Sequence, residues 1–120
     1  MTEIYRTTVT AVGPQATEFT AQGLFVTFGD DAPAALREFC YIVAQARTSA
    51  PIVPGQRLVI DGTEYPITAV GDVAQRNLDA LGHVTVNVDG SPTPKLAGAI
   101  HIAGESPVIG VGTTIAIEGP

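Results

Sequence analysis

Short runs of hydrophobic residues, several alternating with polar ones, follow one another along this chain between glycines and prolines. Thirteen glycines and nine prolines divide the sequence into short segments. The segments between them are rich in Val, Ile and Thr, which favours β-strands. The predicted strands are residues 5–12, 23–28, 39–44, 56–60, 63–70, 83–88, 99–103 and 113–117.

A turn, a proline and an apolar run add detail to three of these strands. Asp61 and Gly62 lie between the fourth and fifth strands, and this residue pair is the strongest short hairpin signal. Pro66 lacks a backbone N–H group, so it predicts an edge position or a bulge in the fifth strand. Residues 39–44 are a continuous apolar run, which is typical of a strand covered on both faces.

Two segments have helical signals, at residues 33–39 and 72–81. The first has a proline at its first turn and acidic residues before it. In the second, Asp72 can cap the N-terminus and Gly82 can take the left-handed position after the last turn. We therefore expect one or two short helices beside the strands.

About eight short strands with one or two short helices predict a mainly β fold, either a compact barrel or a sandwich of two packed sheets. The length of 120 residues fits a single domain over 1–120. Because an apolar strand edge can pair with a second copy of the chain, we also expect a homodimer or a larger homo-oligomer.

Charge and hydropathy exclude several classes of function. Twelve acidic and six basic residues give a net charge of -6, which disfavours binding to nucleic acid phosphates and anionic lipid. No stretch reaches the roughly 18 apolar residues that a membrane span needs. The single cysteine, Cys40, cannot form an internal disulfide and fits a reducing compartment. These features predict a cytoplasmic protein.

The candidate catalytic residues are few. His83 follows the predicted helix end and opens a strand, a position where scaffolds present functional side chains. His101 lies between two isoleucines, and this pattern favours an exposed or half-buried strand histidine without a catalytic role. The apolar neighbours of Cys40 favour a buried thiol over a nucleophile. Two histidines and scattered carboxylates have no metal-ligand spacing, so we expect no metal and no cofactor.

Four segments carry a resemblance to a known family. They are IYRTTVTAVG, LFVTFGDDAPAALREFCYI, YPITAVGDVAQRNLDALGHVTVNVDG and GAIHIAG, and they cover nearly the whole chain in order. The chain resembles the glucitol/sorbitol-specific IIA components of the phosphotransferase system. The most specific part is the series of matches that runs from Ala69 to Thr85.

The resemblance implies phosphoryl relay. A histidine of such a IIA protein accepts a phosphoryl group from the histidine-containing phosphocarrier protein and passes it to the IIB component of the transporter, which acts with IIC. Neutral imidazole is a nucleophile near pH 7, so histidine suits this chemistry. The family's acceptor follows a Phe-Cys-aromatic-Ile run. Here Val43 follows that run, and valine cannot accept a phosphoryl group.

Two functions therefore stay open. In the first, the chain relays phosphoryl groups, and His83, which also matches a histidine of the family pattern, supports the reaction or accepts the group itself. In the second, the chain is a catalytically silent relative that binds a partner or assembles with itself.

Overall fold

The computed structural model describes residues 2–119 and contains eight strands and three helices in that range. The strands close into a barrel in the order β1-β3-β2-β6-β7-β5-β4-β8. Their bounds are β1 Glu3–Val12, β2 Leu24–Phe28, β3 Tyr41–Val43, β4 Arg57–Ile60, β5 Thr63–Val70, β6 Val84–Val88, β7 Ala99–Ile102 and β8 Thr114–Glu118. The helices are α1 Ala16–Ala21, α2 Ala34–Arg37 and α3 Ala74–Leu81.

The mainly β prediction is confirmed, and of its two alternatives the structure is the barrel. Antiparallel pairing of the first and last strands closes it, with Tyr5 opposite Ile117 and Thr7 opposite Ile115. Parallel pairing joins β2 to β3 and β6 to β7. A closed barrel has no free strand edges, so the edge argument for self-association does not apply. The homo-oligomer stays a prediction.

Alternating side chains fill the barrel interior. In β1, Tyr5, Thr7 and Val9 are buried, while the residues between them are exposed. Burial raises the pKa of the Tyr5 phenol to about 12. A hydrogen bond from Thr7 lowers this pKa, and the negative charge of Asp79 raises it further. The phenol is therefore protonated at neutral pH.

A second, smaller apolar cluster lies on the outer face of the same strands. Phe28, Cys40 and Ile42 form it, and Val26 packs against it. It explains why the run through β3 is apolar throughout, since its residues alternate between the interior cluster and this outer one. Burial raises the pKa of the Cys40 thiol, which makes its nucleophilic thiolate form less accessible.

The helix predictions were partly wrong. The expected count was one or two, and the described residues form three, because α1 was missed. Its buried residues, Ala16 and Thr20, are small or polar and leave no clear apolar periodicity in the sequence. Asp72 does not cap α3, since the N-cap position is Val73 and no side chain caps it. Gly82 does end α3 in the left-handed conformation, with φ of 68°.

The turn predictions agree with the structure. Asp61 and Gly62 have φ of 48° and 84° and join β4 to β5 in an antiparallel hairpin. Both positive values fit the tight turn that an Asp-Gly pair favours. Pro66 lies in β5, and the pairing of β5 with β7 shifts register between Ile67 and Ala69, immediately after the proline. None of the helices formed by residues 2–119 is long and apolar enough to cross a membrane.

Candidate functional site

His83 lies where the end of α3 meets β2. Gly82 turns the chain out of the helix, and β6 begins at Val84. The hydroxyl of Thr27 donates to the Gly82 carbonyl oxygen over 2.8 Å, and the Gly29 N–H donates to the Leu81 carbonyl oxygen over 2.8 Å. These two hydrogen bonds attach the end of the helix to the end of β2.

The close approach of these two elements depends on glycine. A Cβ atom at Gly29 would lie 2.8 Å from the Leu81 carbonyl oxygen and 2.8 Å from Oε1 of Gln45. One at Gly82 would lie 2.9 Å from the Gly29 nitrogen, and its φ also favours glycine. The end of α3 can therefore rest directly against the backbone of β2, which positions the residue that follows the helix.

Two contacts orient the His83 imidazole. Its Nδ1 lies 3.1 Å from the Thr27 carbonyl oxygen, and the ring stacks on Phe28 with a centroid distance of 4.5 Å. A carbonyl oxygen only accepts hydrogen bonds, so Nδ1 carries the proton in the neutral ring. Nε2 then holds the lone pair and has no hydrogen-bond partner within residues 2–119, and the side chain is partly exposed.

Val43 lies at the same end of β2 but faces the barrel interior. The pairing of Phe28 with Ile42 puts the next residue, Val43, beside Gly29. The Val43 side chain is fully buried in the interior cluster. His83 instead stacks on Phe28, which belongs to the outer cluster. The structure therefore brings the two positions to opposite flanks of β2 with their side chains on opposite faces of the sheet.

The segment after Val43 is attached to α3 by side chains that the sequence analysis did not single out. Gln45 donates to the Asp79 carbonyl oxygen over 2.8 Å. The Asp79 carboxylate accepts the Thr48 N–H over 2.7 Å and the Thr48 hydroxyl over 2.9 Å. Gln75 donates to the Thr48 hydroxyl and the Ala50 carbonyl oxygen. Gln75 and Asp79 are four residues apart, the spacing of one helix face, and this was the only sequence signal for them.

The prediction for His101 was wrong about its burial. Its side chain is fully buried, and both ring nitrogens have partners. Nδ1 donates to the Asp89 carboxylate over 2.8 Å, and Nε2 accepts the Lys95 N–H over 3.2 Å. Strand alternation suggested that this side chain would reach solvent, but the segment between β6 and β7 covers it. With no nitrogen available, His101 fits a structural role.

Asp89 is the partner of this buried histidine and has a perturbed pKa. It also accepts the Ser91 N–H over 3.1 Å and forms an ion pair of 3.3 Å with the Lys95 ammonium. Partial burial of the carboxyl raises its pKa, but the hydrogen bonds from His101 and its other partners outweigh this and lower it from 3.8 to about 2. The segment after β6 is thus held by an ionised carboxylate.

Acid should weaken this arrangement. A carboxyl whose folded pKa is depressed stabilises the folded state above its ordinary pKa, and that contribution disappears as pH falls from about 4 towards 2. We expect the free energy of unfolding of the unmodified protein to decrease over this range. In Asp89→Asn the decrease should be smaller, and stability at pH 7 should be lower. Denaturant titrations at several pH values measure both, and parallel profiles for the two proteins would contradict the prediction.

The described residues show no group suited to a metal ion. Within residues 2–119, no three His, Cys, Asp or Glu side chains are placed to hold a metal ion together. Cys40 is a free, buried thiol. The group in this range with the geometry of a nucleophile is therefore the His83 imidazole, held by Thr27 and Phe28.

The barrel with its attached helix is the fold of a solved phosphotransferase IIA component. A solved structure, the PTS system IIA component from Enterococcus faecalis V583, superposes with a TM-score of 0.84 and 26% identity, over 96% of this chain and all of that one. The sequence pattern of the PTS system glucitol/sorbitol-specific IIA component matches residues 4–116. This chain belongs to that glucitol/sorbitol-specific IIA family.

Two curated relatives agree with this assignment. The PTS system glucitol/sorbitol-specific EIIA component of Shigella flexneri is 40% identical over 107 residues, which is 89% of this chain and 87% of the relative. The protein of the same description from Escherichia coli (strain K12) is 39% identical over the same shares of the two chains.

Proposed function

We propose that this chain is a cytoplasmic phosphoryl carrier of a glucitol/sorbitol phosphotransferase system. It accepts a phosphoryl group from the histidine-containing phosphocarrier protein and donates it to the IIB component, which works with the IIC transporter. Membership of the family supports the class of reaction. The observation that supports His83 as the phosphoryl acceptor is the hydrogen bond from its Nδ1 to the Thr27 carbonyl oxygen, which leaves the lone pair on Nε2.

In the proposed transfer, Nε2 of His83 attacks the phosphorus atom of the donor phosphohistidine. The new N–P bond forms as the donor N–P bond breaks, and the donor nitrogen keeps the electron pair of that bond. Positive charge develops on the His83 ring. Nδ1 keeps its proton and its hydrogen bond to the Thr27 carbonyl oxygen, and this hydrogen bond stabilises the charge. Transfer to IIB reverses these steps with a new acceptor, so the chain needs no cofactor.

The other nitrogen and sulfur nucleophiles of the described chain suit this reaction less well. Both ring nitrogens of His101 are engaged in a fully buried site. The Cys40 thiol is buried, and burial raises its pKa. Val43, which stands at the position where the family resemblance has its acceptor, carries no nucleophile. These contrasts favour His83 as the acceptor.

Phosphorylation from phosphoenolpyruvate tests the proposal. The chain is incubated with enzyme I and the phosphocarrier protein, and we expect an acid-labile phosphate that maps to the peptide containing His83. In His83→Gln, incorporation should fall to background, at least about a hundredfold, because the acceptor nitrogen is removed. Glutamine keeps a polar side chain in place, and thermal unfolding checks that the variant is folded. Incorporation that persists in this variant, or its absence from the unmodified chain, would overturn the proposal.

A second function is favoured by one observation. Val43 is apolar and fully buried at the family's acceptor position, which fits a silent relative that binds a phosphotransferase partner or a second copy of itself. The same experiment separates the two functions. A silent relative would bind the phosphocarrier protein or self-associate in sedimentation measurements and take up no phosphate.

A further inference from the structure

Some basic side chains of this acidic protein are paired with carboxylates and others are not. Arg6 pairs with Glu3, Arg57 with Glu64, and Lys95 with Asp89. Arg37 donates to the Asp30 carbonyl oxygen. The two remaining cations of residues 2–119 are Arg47 and Arg76, and neither has a carboxylate within ion-pair distance in that range.

Both free arginines line one groove. It has a volume of about 500 Å³ and lies between α3 and the segment after β3, with Gln75, Asp79 and Ala80 as its other lining residues. Arg47 and Arg76 are exposed. Two arginines without a carboxylate partner therefore line the same open groove, in a chain whose net charge is -6.

The carboxylate in this groove is already engaged. Asp79 accepts the N–H and the hydroxyl of Thr48 through Oδ1, and the same hydroxyl lies 3.0 Å from Oδ2. It forms no ion pair with either of these two described arginines. The lining of this groove therefore contains two positive charges and one negative charge. Two other surface grooves contain an arginine without such an excess: one is lined by Arg37 and Glu38, and the other by Arg6, Asp61 and Glu118.

The position of Arg76 in α3 is electrostatically unfavourable for the helix. It is the third residue of α3, in the first turn, where the positive end of the helix dipole opposes a cation. Among the described residues, its side chain forms no ion pair that would offset this repulsion. A cation that is both unfavourable for its helix and directed to a groove with a second free arginine fits a site for an anionic ligand.

We propose that the groove between Arg47 and Arg76 binds a phosphate dianion, carried either by a small phosphomonoester or by a phosphorylated residue of a partner protein. The planar guanidinium forms paired hydrogen bonds with phosphate oxygens, and the two guanidinium charges exceed the single negative charge of Asp79 in the lining. His83 is not among the residues that line this groove, and the ligand is bound there without a covalent step. The proposal does not depend on phosphoryl relay.

Direct binding of inorganic phosphate tests the site. Calorimetric titration at about 0.1 M ionic strength, where the Debye length is about 10 Å, should show saturable binding, and the Nε–H resonances of Arg47 and Arg76 should shift in proton–nitrogen NMR spectra. Arg47→Gln and Arg76→Gln should each weaken binding at least about fivefold, because each removes a charge-assisted hydrogen bond. Asp79→Asn, which can keep its contacts with Thr48, should strengthen binding about twofold to threefold by removing the repelling charge.

The control is Arg6→Gln/Arg37→Gln, which removes two positive charges elsewhere. It should change phosphate affinity less than about twofold, since charges beyond a Debye length are screened. No saturation at about 10 mM phosphate, or equal weakening by the control, would overturn the proposal. Glycerol phosphate and a phosphoserine peptide then distinguish the ligand sources. Tighter binding of either one supports the dianion site and identifies its source.

Discussion

Val43→His is expected to destabilise the barrel by about 2–4 kcal/mol and to leave phosphate incorporation at the level of the unmodified protein. The Val43 side chain is fully buried in the interior cluster, so the larger ring overpacks the core and places polar nitrogens among apolar neighbours. The ring would also lie away from solvent and from a donor protein. Denaturant unfolding measures the first effect, and phosphate incorporation from phosphoenolpyruvate measures the second.

Two further variants make this experiment decisive. Val43→Leu adds apolar volume without polar atoms, so the difference between the leucine and histidine variants isolates the cost of burying the imidazole. Val43→His/His83→Gln tests which of the two positions carries the phosphate, and we expect background incorporation. Acid-labile phosphate on the imidazole introduced by Val43→His in this double variant would contradict the prediction. It would mean that a donor protein can reach position 43.

His101→Leu is expected to cost about 2–4 kcal/mol of unfolding free energy. The imidazole is fully buried and connects Asp89 to the Lys95 backbone. Leucine has a similar size but no polar atoms, so the Lys95 N–H loses its acceptor and the Asp89 carboxylate loses its closest donor. Thermal and denaturant unfolding measure the loss. Hydrogen exchange of the Lys95 amide should also accelerate in the variant.

Lys95→Ala is the matched control for this result. It removes the exposed ammonium, which lies 3.3 Å from Asp89, and keeps the backbone N–H that His101 accepts. Exposed ion pairs contribute about 0–1 kcal/mol, so the variant should lose no more than that. Equal losses in the two variants would show that the ion pair, rather than the buried histidine, holds the segment between β6 and β7.

The sequence predicted most of the regular structure because its signals are local. The eight strands follow from β-branched residues between glycines and prolines, and the observed strand bounds differ from the predicted ones by no more than two residues at either end. Asp61 and Gly62 determine a turn through their own backbone preferences. α1 was missed because its buried positions are small or polar. Local signals also suggested Asp72 as a cap, although the helix begins at Ala74.

The candidate site was less predictable, because its contacts join distant parts of the chain. The end of a predicted helix pointed to His83, but its hydrogen bond to Thr27 and its stacking on Phe28 span more than fifty residues. His101 was predicted to be exposed or half-buried, because strand alternation tells which face of the sheet a side chain lies on but not whether another segment covers that face. The arginine groove likewise depends on the segment after β3 lying against α3.

The sequence by itself determined the strand content, the turn at Asp61, the left-handed end of α3 and the absence of a nucleophile at position 43. Only the tertiary structure decided the closure of the barrel, the buried role of His101, and the orientation of His83 and Val43 to opposite faces. The physical reason is the range of the interactions. Backbone preferences and hydrophobic periodicity act between neighbours, whereas closure through β1 and β8 pairs residues more than a hundred positions apart.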